Sequence, residues 1–493
     1  MDRKWWTLIA VCVAIFMLLL DITVVNVALP SIQRSLHSSF QDLQWVVDAY
    51  SLTLAALLLT GGALADLFGR RLLFTIGLVV FTASSMVCGL SSTPLMLNLA
   101  RGVQGVGGAL MFATSLALLA QAFHGRERGT AFGIFGAVTG AAVAAGPLIG
   151  GILTSAIGWE WIFFVNVPIG ALAVVLTLAR VAESRDPNAS GVDWAGLVTF
   201  SGSLFLLVFA LVRGNTLGWG STEIVAMLSA SAVLIVLFVL AERAQKRPML
   251  DLSLFKRPAF VGANLVAFTL SSSAFAMFLY LTLYIQDVLH YSPLQAGLRF
   301  LPTTLLMFAV SPLAGRLSVR VPIRLLLGVG LLFVSGGLLA MTAVTPTSGW
   351  TVLIPGFVLQ GIGVGLINPP LASAAIGVVR PERSGMASGA NNTFRQVGIA
   401  TGIAALGAIF QHDLGGSANA EHASRAAFVG AFISILEIGA LVAFAGAVAA
   451  FALVRSKDFV ASQAPGEAAA ALASEVAERS GRQPLVAGAR EHG

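Results

Sequence analysis

The sequence has 493 residues, of which 57% are hydrophobic and only 11% are charged, and its mean hydropathy is +0.88. An average soluble domain carries about a quarter charged residues, so this composition excludes an ordinary water-soluble protein. The net charge of +6 comes from short Lys and Arg clusters between apolar runs, which argues against a nucleic-acid-binding face. Continuous rather than alternating apolar runs favour helices over a β-barrel, so we expect an all-α integral membrane protein.

Fourteen stretches are apolar enough to cross the membrane, since a helix needs roughly 20 residues to span about 30 Å of hydrocarbon. The first lacks a small-residue cleavage site, so we interpret it as a retained span and not a signal peptide. The fourteen predicted spans are 6–29, 44–65, 72–91, 95–119, 130–154, 162–180, 194–212, 223–242, 259–286, 295–315, 323–343, 351–376, 388–411 and 427–454.

The positions of the basic residues give a topology. Most of the 29 Lys and Arg residues fall in segments on one side of the membrane if both termini are cytoplasmic. A missed or extra span would invert this pattern part-way along the chain, so the even number of spans is well supported. The outer loops would hold only Arg34, Arg213 and Arg425.

An internal repeat relates the two ends of the chain. The segment Gln104–Leu110 matches Gln360–Leu366 at an offset of 256 residues. Chance similarity between glycine-rich membrane helices is the alternative, but co-linear matches favour a true repeat. Nearly the same offset relates two further pairs, Gly62 with Gly315 and Arg71 with Arg324.

The repeat predicts four regions. Residues 1–181 form a six-helix bundle, 182–258 an inserted helix pair with flanking loops, 259–455 a second six-helix bundle, and 456–493 a polar cytoplasmic tail. In transporters built from repeated halves, the binding site lies at their interface near the middle of the membrane, where rocking exposes it to alternate sides.

Few ionisable residues interrupt the spans, and each costs at least about 2.5–3.5 kcal/mol at the bilayer centre. Asp21 lies in span 1, Asp48 near the start of span 2 and Arg101 in span 4. A carboxyl group removed from water can exchange a proton near neutral pH, so we predict that both acids carry protons, influenced by Arg101 if it lies close. The alternatives are an Asp21–Arg101 ion pair that only fixes helix packing and, for Asp48, a solvated interfacial residue.

The segment that follows span 2 combines close-packing glycines with charged residues. Asp66 can cap a helix end, Gly69 permits a tight turn, and Arg70 and Arg71 suit the cytoplasmic surface. Ordinary topology-setting charge is the alternative, but the spacing favours a gate.

Further polar and small residues lie inside later spans. Span 5 contains a motif of small residues and proline: Gly146, Pro147, Gly150 and Gly151. Small residues let helices approach closely, and proline bends a helix. Helix packing alone would explain this motif. Four polar residues of the second half are expected to line a substrate cavity: Gln360, Asn368, Arg395 and Glu437.

Taken in order, these motifs resemble those of the fourteen-spanner drug:proton antiporters of the major facilitator superfamily. The resemblance covers about Trp5 to Val454 and includes the segment Trp159–Gly170, which is characteristic of the fourteen-span branch. The chain departs from the family pattern at four positions: Leu67 for a basic residue, Ala142 for Gly, Glu160 for Arg, and Val319 at the position of Asp66.

The resemblance implies a major facilitator fold of two six-helix halves plus two inserted helices. It implies proton coupling at Asp21 and Asp48, a proton-relay role for Arg101, a cytoplasmic gate after span 2 and an antiporter signature in span 5.

Our leading hypothesis is proton-coupled export of amphipathic, often cationic, compounds by alternating access, as in multidrug efflux and antibiotic resistance. The expected setting is a monomer in the bacterial cytoplasmic (inner) membrane, powered by the proton motive force without cofactor or metal. Its expected partners are small-molecule substrates, protons and the lipid bilayer. The alternative is export of one specific endogenous metabolite, antibiotic or lipid.

A receptor, an ATP-driven pump and a membrane metalloenzyme are disfavoured. No sizeable soluble domain is present to carry a receptor signal. None of the lysines lies in a phosphate-cradling G-x-x-x-x-G-K-[ST] loop, which disfavours an ATP-driven pump. The six histidines do not cluster in sequence as a metal-binding set, which disfavours a membrane metalloenzyme.

Overall fold

The computed structural model describes eight stretches of the chain, and every regular element within them is helical. They are residues 2–38, 40–123, 125–185, 193–245, 249–318, 320–379, 384–414 and 425–455. The predicted tail at 456–493 lies outside these stretches. Val319, which stands in the second half at the position of Asp66, lies outside them too.

The helices follow the predicted order of six, two and six spans. The first part contains α1 (Arg3–Leu36), α2 (Phe40–Phe68), α3 (Arg70–Gly89), α4 (Pro94–Ala122), α5 (Gly125–Ala156), α6 (Trp161–Phe164) and α7 (Asn166–Arg180). The inserted pair is α8 (Trp194–Leu217) and α9 (Thr222–Ala244). The last part contains α10 (Pro258–Leu270), α11 (Ala276–Leu283), α12 (Pro293–Arg299), α13 (Leu301–Leu317), α14 (Ile323–Met341), α15 (Ile354–Gly377), α16 (Ser384–Asp413) and α17 (Arg425–Leu453).

Local sequence explains several helix starts and one irregularity. Thr93, Asp193 and Ser221 precede α4, α8 and α9, and each side chain accepts a hydrogen bond from a backbone N–H of the first turn. A π-helical segment, Ser271–Phe275, joins α10 to α11, so this predicted span is one continuous but locally widened helix.

The structure accounts for all fourteen predicted spans. Within the described residues, twelve helical stretches are long and apolar enough to cross a membrane. The other two predicted spans correspond to α5, with 32 residues, and α13, with 17 residues. The all-α membrane fold is therefore confirmed.

Arg213 is one residue whose predicted location is wrong. We expected span 7 to end at 212 and Arg213 to lie in an outer loop, but α8 continues to Leu217 and buries this side chain. The helix continues because the protein interior supplies a partner for the cation, a contact that hydropathy does not detect.

The two six-helix parts meet through a contact that occurs twice. We call the end of the bundle at which α1 begins the N-terminal face. There α2 packs on α16, and a Cβ atom added to Gly62 would lie 2.9 Å from the carbonyl carbon of Gly385. Likewise α13 packs on α5, and a Cβ atom on Gly315 would lie 3.1 Å from the carbonyl carbon of Gly129. This repeated contact supports the division into two halves.

The inserted pair lies over one seam between the halves. Helix α8 packs against both α2 and α16, whereas α9 packs mainly on α8 and leaves large apolar side chains exposed. Thr60 of α2 shares a 3.0 Å hydrogen bond with Ser201 of α8. Asn215 of α8 donates from Nδ2 to the Ala404 carbonyl oxygen of α16 at 3.0 Å. Helix α8 therefore bridges the halves, and α9 covers its outer side.

Candidate functional site

A buried ion pair joins α1 and α4 in the first half. Arg101 donates from Nη1 to Asp21 Oδ2 at 2.6 Å, and their side chains are 2% and 0% exposed. Gln104 donates from Nε2 to Asp21 Oδ1 at 3.0 Å, while its Oε1 accepts from Arg101 at 2.8 Å. Asp21, Arg101 and Gln104 thus each have polar partners in a buried environment, where an unpaired charge would be costly.

Residues of three more helices extend this network. Asn166, the first residue of α7, donates to Asp21 Oδ1 at 3.1 Å and to Ser85 Oγ at 3.0 Å. Ser85 of α3 donates in turn to the Phe163 carbonyl oxygen of α6 at 3.0 Å. The Asp21 carboxylate therefore accepts hydrogen bonds from three side chains, those of Arg101, Gln104 and Asn166.

Arg101 also connects the network to α2. Its Nε donates to the Val46 carbonyl oxygen at 3.0 Å, and its guanidinium lies 4.2 Å from the centroid of the Tyr50 ring. Six helices of the first half, α1, α2, α3, α4, α6 and α7, thus meet around one carboxylate.

Asp48 forms a separate ion pair with the inserted helix. Its Oδ2 lies 3.7 Å from Nε of Arg213, and the Arg213 guanidinium lies 5.2 Å from the centroid of the Trp45 ring. The structure thus separates the two predicted proton carriers: Arg101 pairs with Asp21, and Arg213 pairs with Asp48.

Asp66 connects the two halves at the N-terminal face. Its Oδ1 accepts hydrogen bonds from Arg70 Nε at 3.0 Å and Nη2 at 2.9 Å. The same carboxylate accepts the backbone N–H groups of Gly385 at 3.0 Å and Met386 at 2.8 Å, in the first turn of α16. A carboxylate at a helix N-terminus pairs with free N–H groups and complements the helix dipole. One side chain of the first half therefore caps a helix of the second.

The gate residues Gly69 and Arg71 contact Glu183, which also belongs to the N-terminal part of the chain. Gly69 has a φ of +123°, a backbone conformation that favours glycine, and it lies close to the carboxylate of Glu183. Glu183 accepts the backbone N–H groups of Arg71 at 3.0 Å and Leu72 at 3.1 Å. Glu183 thus caps the start of α3.

The glycines of the span-5 motif face α1 next to Asp21. An added Cβ atom on Gly146 would overlap the side chain of Thr23, and one on Gly150 would lie 2.7 Å from Cγ2 of Val24. An added Cβ atom on Gly151, by contrast, would have no atom of the described residues within 4 Å. Pro147 is part of α5, but its side chain lies outside the described set. Two of the three glycines therefore permit close packing of α5 on α1.

The four predicted cavity residues lie on three helices. Arg395 of α16 donates from Nη2 to Asn368 Oδ1 of α15 at 3.0 Å. Gln360 of α15 is buried against α14, where an added Cβ atom on Gly337 would lie 3.0 Å from its Cγ. Glu437 is exposed on the same face of α17 as Leu441. The structure thus joins Arg395 and Asn368 by a hydrogen bond.

Sequence reasoning did not assign a site role to four residues that the structure places in these contacts. Gln104 and Asn166 lie in the quoted motifs, and their buried polar character inside apolar segments was the available signal. Glu183 and Arg213 gave no comparable signal, because their partners are distant in sequence.

A family model described as Major Facilitator Superfamily matches residues 11–403. The chain belongs to the Major Facilitator Superfamily. It is 40% identical to Multidrug resistance protein Stp of Mycobacterium tuberculosis (strain CDC 1551 / Oshkosh) over 82% of this chain and 75% of that protein. It is 37% identical to Puromycin resistance protein pur8 of Streptomyces alboniger, over 83% of this chain and 82% of that protein.

The fold of this superfamily member also matches a solved structure. The crystal structure of the human organic anion transporter MFSD10 (TETRAN) aligns with a TM-score of 0.64 and 16% identity, covering 90% of this chain and all of that chain. At this identity the match shows the fold alone. Membership of a transporter superfamily, within its drug-efflux branch, makes the chain a multi-pass membrane transporter and not an enzyme.

Proposed function

We propose that this transporter exports amphipathic compounds in exchange for protons, with Asp21 carrying the proton. The observation that carries the proposal is the 2.6 Å contact between Arg101 and Asp21 in a fully buried network. Protonation of Asp21 would remove the charge bound by Arg101 and weaken its charge-assisted hydrogen bonds. Because those bonds join α1 to α4 and α7 within the six-helix network, loading and release of the proton would favour different arrangements of the first half.

Proton movement and substrate movement are coupled through the two access states. A proton drives export only if the protonated and deprotonated proteins differ in their preference for these states. The substrate must also bind the two states with different affinities. One proton moving down 100 mV releases about 2.3 kcal/mol. One unit of pH gradient adds about 1.4 kcal/mol, so one proton can support a tenfold or greater concentration gradient of substrate.

The gate completes the proposed mechanism. With both termini in the cytoplasm, as the basic residues predict, the N-terminal face is the cytoplasmic face. The bonds from Asp66 to the start of α16 and the contact of Gly62 with Gly385 would then close the cytoplasmic side. Access from the cytoplasm requires both contacts to separate. We assign this cycle to a monomer in the bacterial cytoplasmic membrane, with no cofactor.

The comparisons support a drug-like cargo. One relative is named a multidrug resistance protein, which supports a broad range of amphipathic compounds. Another is named for resistance to a single antibiotic, puromycin, and this favours a second candidate, the export of one specific compound. A susceptibility panel in an efflux-deficient host separates the two, because broad export raises resistance to chemically unrelated compounds and dedicated export does not.

Transport in everted vesicles tests the role of Asp21. We expect wild-type vesicles to accumulate a fluorescent amphipathic dye when the lumen is acidified. Asp21→Asn should abolish this accumulation while retaining downhill dye exchange, because the amide keeps the shape of the side chain but cannot carry the proton. The matched control, Asp413→Asn, changes an exposed residue at the end of α16. Normal pH-driven accumulation by Asp21→Asn would leave the Asp21–Arg101 pair with a packing role only.

A further inference from the structure

Arg395 lies inside a membrane-spanning helix. Helix α16 (Ser384–Asp413) contains the predicted span 388–411, so Arg395 lies about 10 Å from the start of that span at about 1.5 Å per residue. That depth is within a hydrocarbon core of about 30 Å. Its Nη2 donates to Asn368 Oδ1 at 3.0 Å, and no carboxylate among the described side chains lies within 4.0 Å of its guanidinium.

The three buried arginines among the described residues differ in this respect. Each has a carboxylate partner at 2.6 to 3.7 Å: Asp21 for Arg101, Asp66 for Arg70 and Asp48 for Arg213. A charge inside the bilayer is costly, and pairing is the usual compensation. Arg395 therefore has a requirement for negative charge that its described neighbours do not meet.

Asn368 adds an unsatisfied donor beside this arginine. The residue is 5% exposed, and its Nδ2 has no hydrogen-bond partner among the described residues. Its Oδ1 already accepts from Arg395, so the amide nitrogen is the group that remains available. A buried donor without an acceptor is unfavourable, because it has lost its hydrogen bond to water. An amide donor without an acceptor thus lies next to a guanidinium without a carboxylate partner among the described side chains.

The pair lies where the two halves meet. A Cβ atom added to Gly136 of α5 would lie 3.6 Å from Cβ of Asn368 and 3.3 Å from Cγ of Pro369. One turn before Arg395, Asn392 donates from Nδ2 to the Phe112 carbonyl oxygen of α4 at 3.2 Å, again across the halves. In transporters made of repeated halves, this mid-membrane interface is where substrate binds.

We propose that Arg395 and Asn368 form a substrate subsite that binds an acidic group, such as a carboxylate or an ionised phenol. The guanidinium would donate two hydrogen bonds to the anionic oxygens, and the free Asn368 N–H would donate a third. The inference rests on the proposed export function and narrows its cargo. It differs from the cationic cargo expected from sequence, since Asp21 and Asp48 already have arginine partners.

Binding measured in lipid nanodiscs tests the subsite without requiring transport. The probes are a fluorescent aromatic carboxylic acid and its carboxamide, which differ only in the acidic group. We expect the wild type to bind the acid about tenfold more tightly than the amide, which corresponds to about 1.4 kcal/mol, because only the acid makes the charge-assisted contact. Arg395→Gln should remove this preference, and Arg395→Lys should retain part of it. The exposed control, Arg455→Gln, should retain all of it.

The subsite would be overturned by equal wild-type affinity for acid and amide, or by an unchanged preference in Arg395→Gln. A variant that loses affinity for both probes equally would also overturn it, because that pattern indicates a structural role. Transport of the same probes in vesicles reports separately on the proposed function. A wild type that binds the acid through Arg395 but exports neither probe would support the subsite and contradict the export function.

Discussion

Asp48 of α2 lies 3.7 Å from Arg213 of α8, so the inserted pair supplies the counter-ion for a carboxylate of the first half. The same helix reaches the second half through Asn215, which bonds the Ala404 carbonyl oxygen at 3.0 Å. The insert is thus tied by polar contacts to both halves. Relative motion of the halves during transport has to carry α8 along or break one of these contacts.

The Asp48–Arg213 pair should show energetic coupling. Neutralising either partner leaves a partly buried charge without its counter-ion, so Asp48→Asn and Arg213→Gln should each lower stability. The double variant should recover part of that loss. We expect a coupling energy of roughly 0.5–3 kcal/mol in a double-mutant cycle, measured by chemical unfolding in mixed micelles. Purely additive effects would show that the two charges do not interact.

Closure at the N-terminal face should depend on glycine at position 385. A Cβ atom added there would lie 2.7 Å from the Gly62 carbonyl oxygen, so Gly385→Val should force α2 and α16 apart. Gly336→Val is the matched control, since its added Cβ position has no atom within 4 Å in the part of the chain that the structure describes. Spin labels on Phe68→Cys and Leu317→Cys, exposed residues near this face in opposite halves, report the separation. The label distance should increase only in Gly385→Val, and an unchanged distance contradicts the gate.

The span-5 motif should tolerate substitution at one glycine and not at its neighbour. Gly150→Ala places a methyl group 3.1 Å from the Val24 carbonyl oxygen, whereas Gly151→Ala meets no described atom within 4 Å. We expect Gly150→Ala to lose about 1–3 kcal/mol of stability and most export activity. Gly151→Ala should match the wild type in both. Thermal unfolding and vesicle export check this, and equal effects at the two positions would refute a packing role.

Glu183 should stabilise the start of α3 by capping it. Its carboxylate accepts the backbone N–H groups of Arg71 and Leu72, so Glu183→Ala should cost about 0.5–2 kcal/mol. Glu183→Gln keeps an acceptor oxygen and should lose less. Unfolding of both variants in micelles provides the comparison. If Ala and Gln are equally destabilising, the charge and not the cap geometry determines the effect.

The sequence predicted the helices well and their contacts only partly. Fourteen spans followed from hydropathy and basic-residue positions, because bilayer thickness imposes a length on every helix. Hydropathy does not distinguish a lipid-facing side chain from one packed on another helix, since both surroundings are apolar. For that reason the exposed face that carries Glu437 and the burial of Arg213 were not foreseen.

The candidate site shows the same division. An Asp21–Arg101 ion pair could be anticipated, since two opposite charges inside spans need each other. The contributions of Ser85 and Asn166 could not, because they depend on how α3 and α7 rotate against α1. The capping of α16 by Asp66 was equally inaccessible, since the two elements lie more than 300 residues apart in the chain.

Substrate-driven proton movement in proteoliposomes tests the central claim most directly. Purified protein is reconstituted with a pH-sensitive dye in the lumen, and an outward gradient of an exported compound is imposed without a pH gradient. The account predicts that wild-type protein acidifies the lumen as substrate leaves, whereas Asp21→Asn releases substrate with no pH change. Substrate efflux by the wild type without lumenal acidification, or acidification that persists in Asp21→Asn, would contradict proton exchange through Asp21.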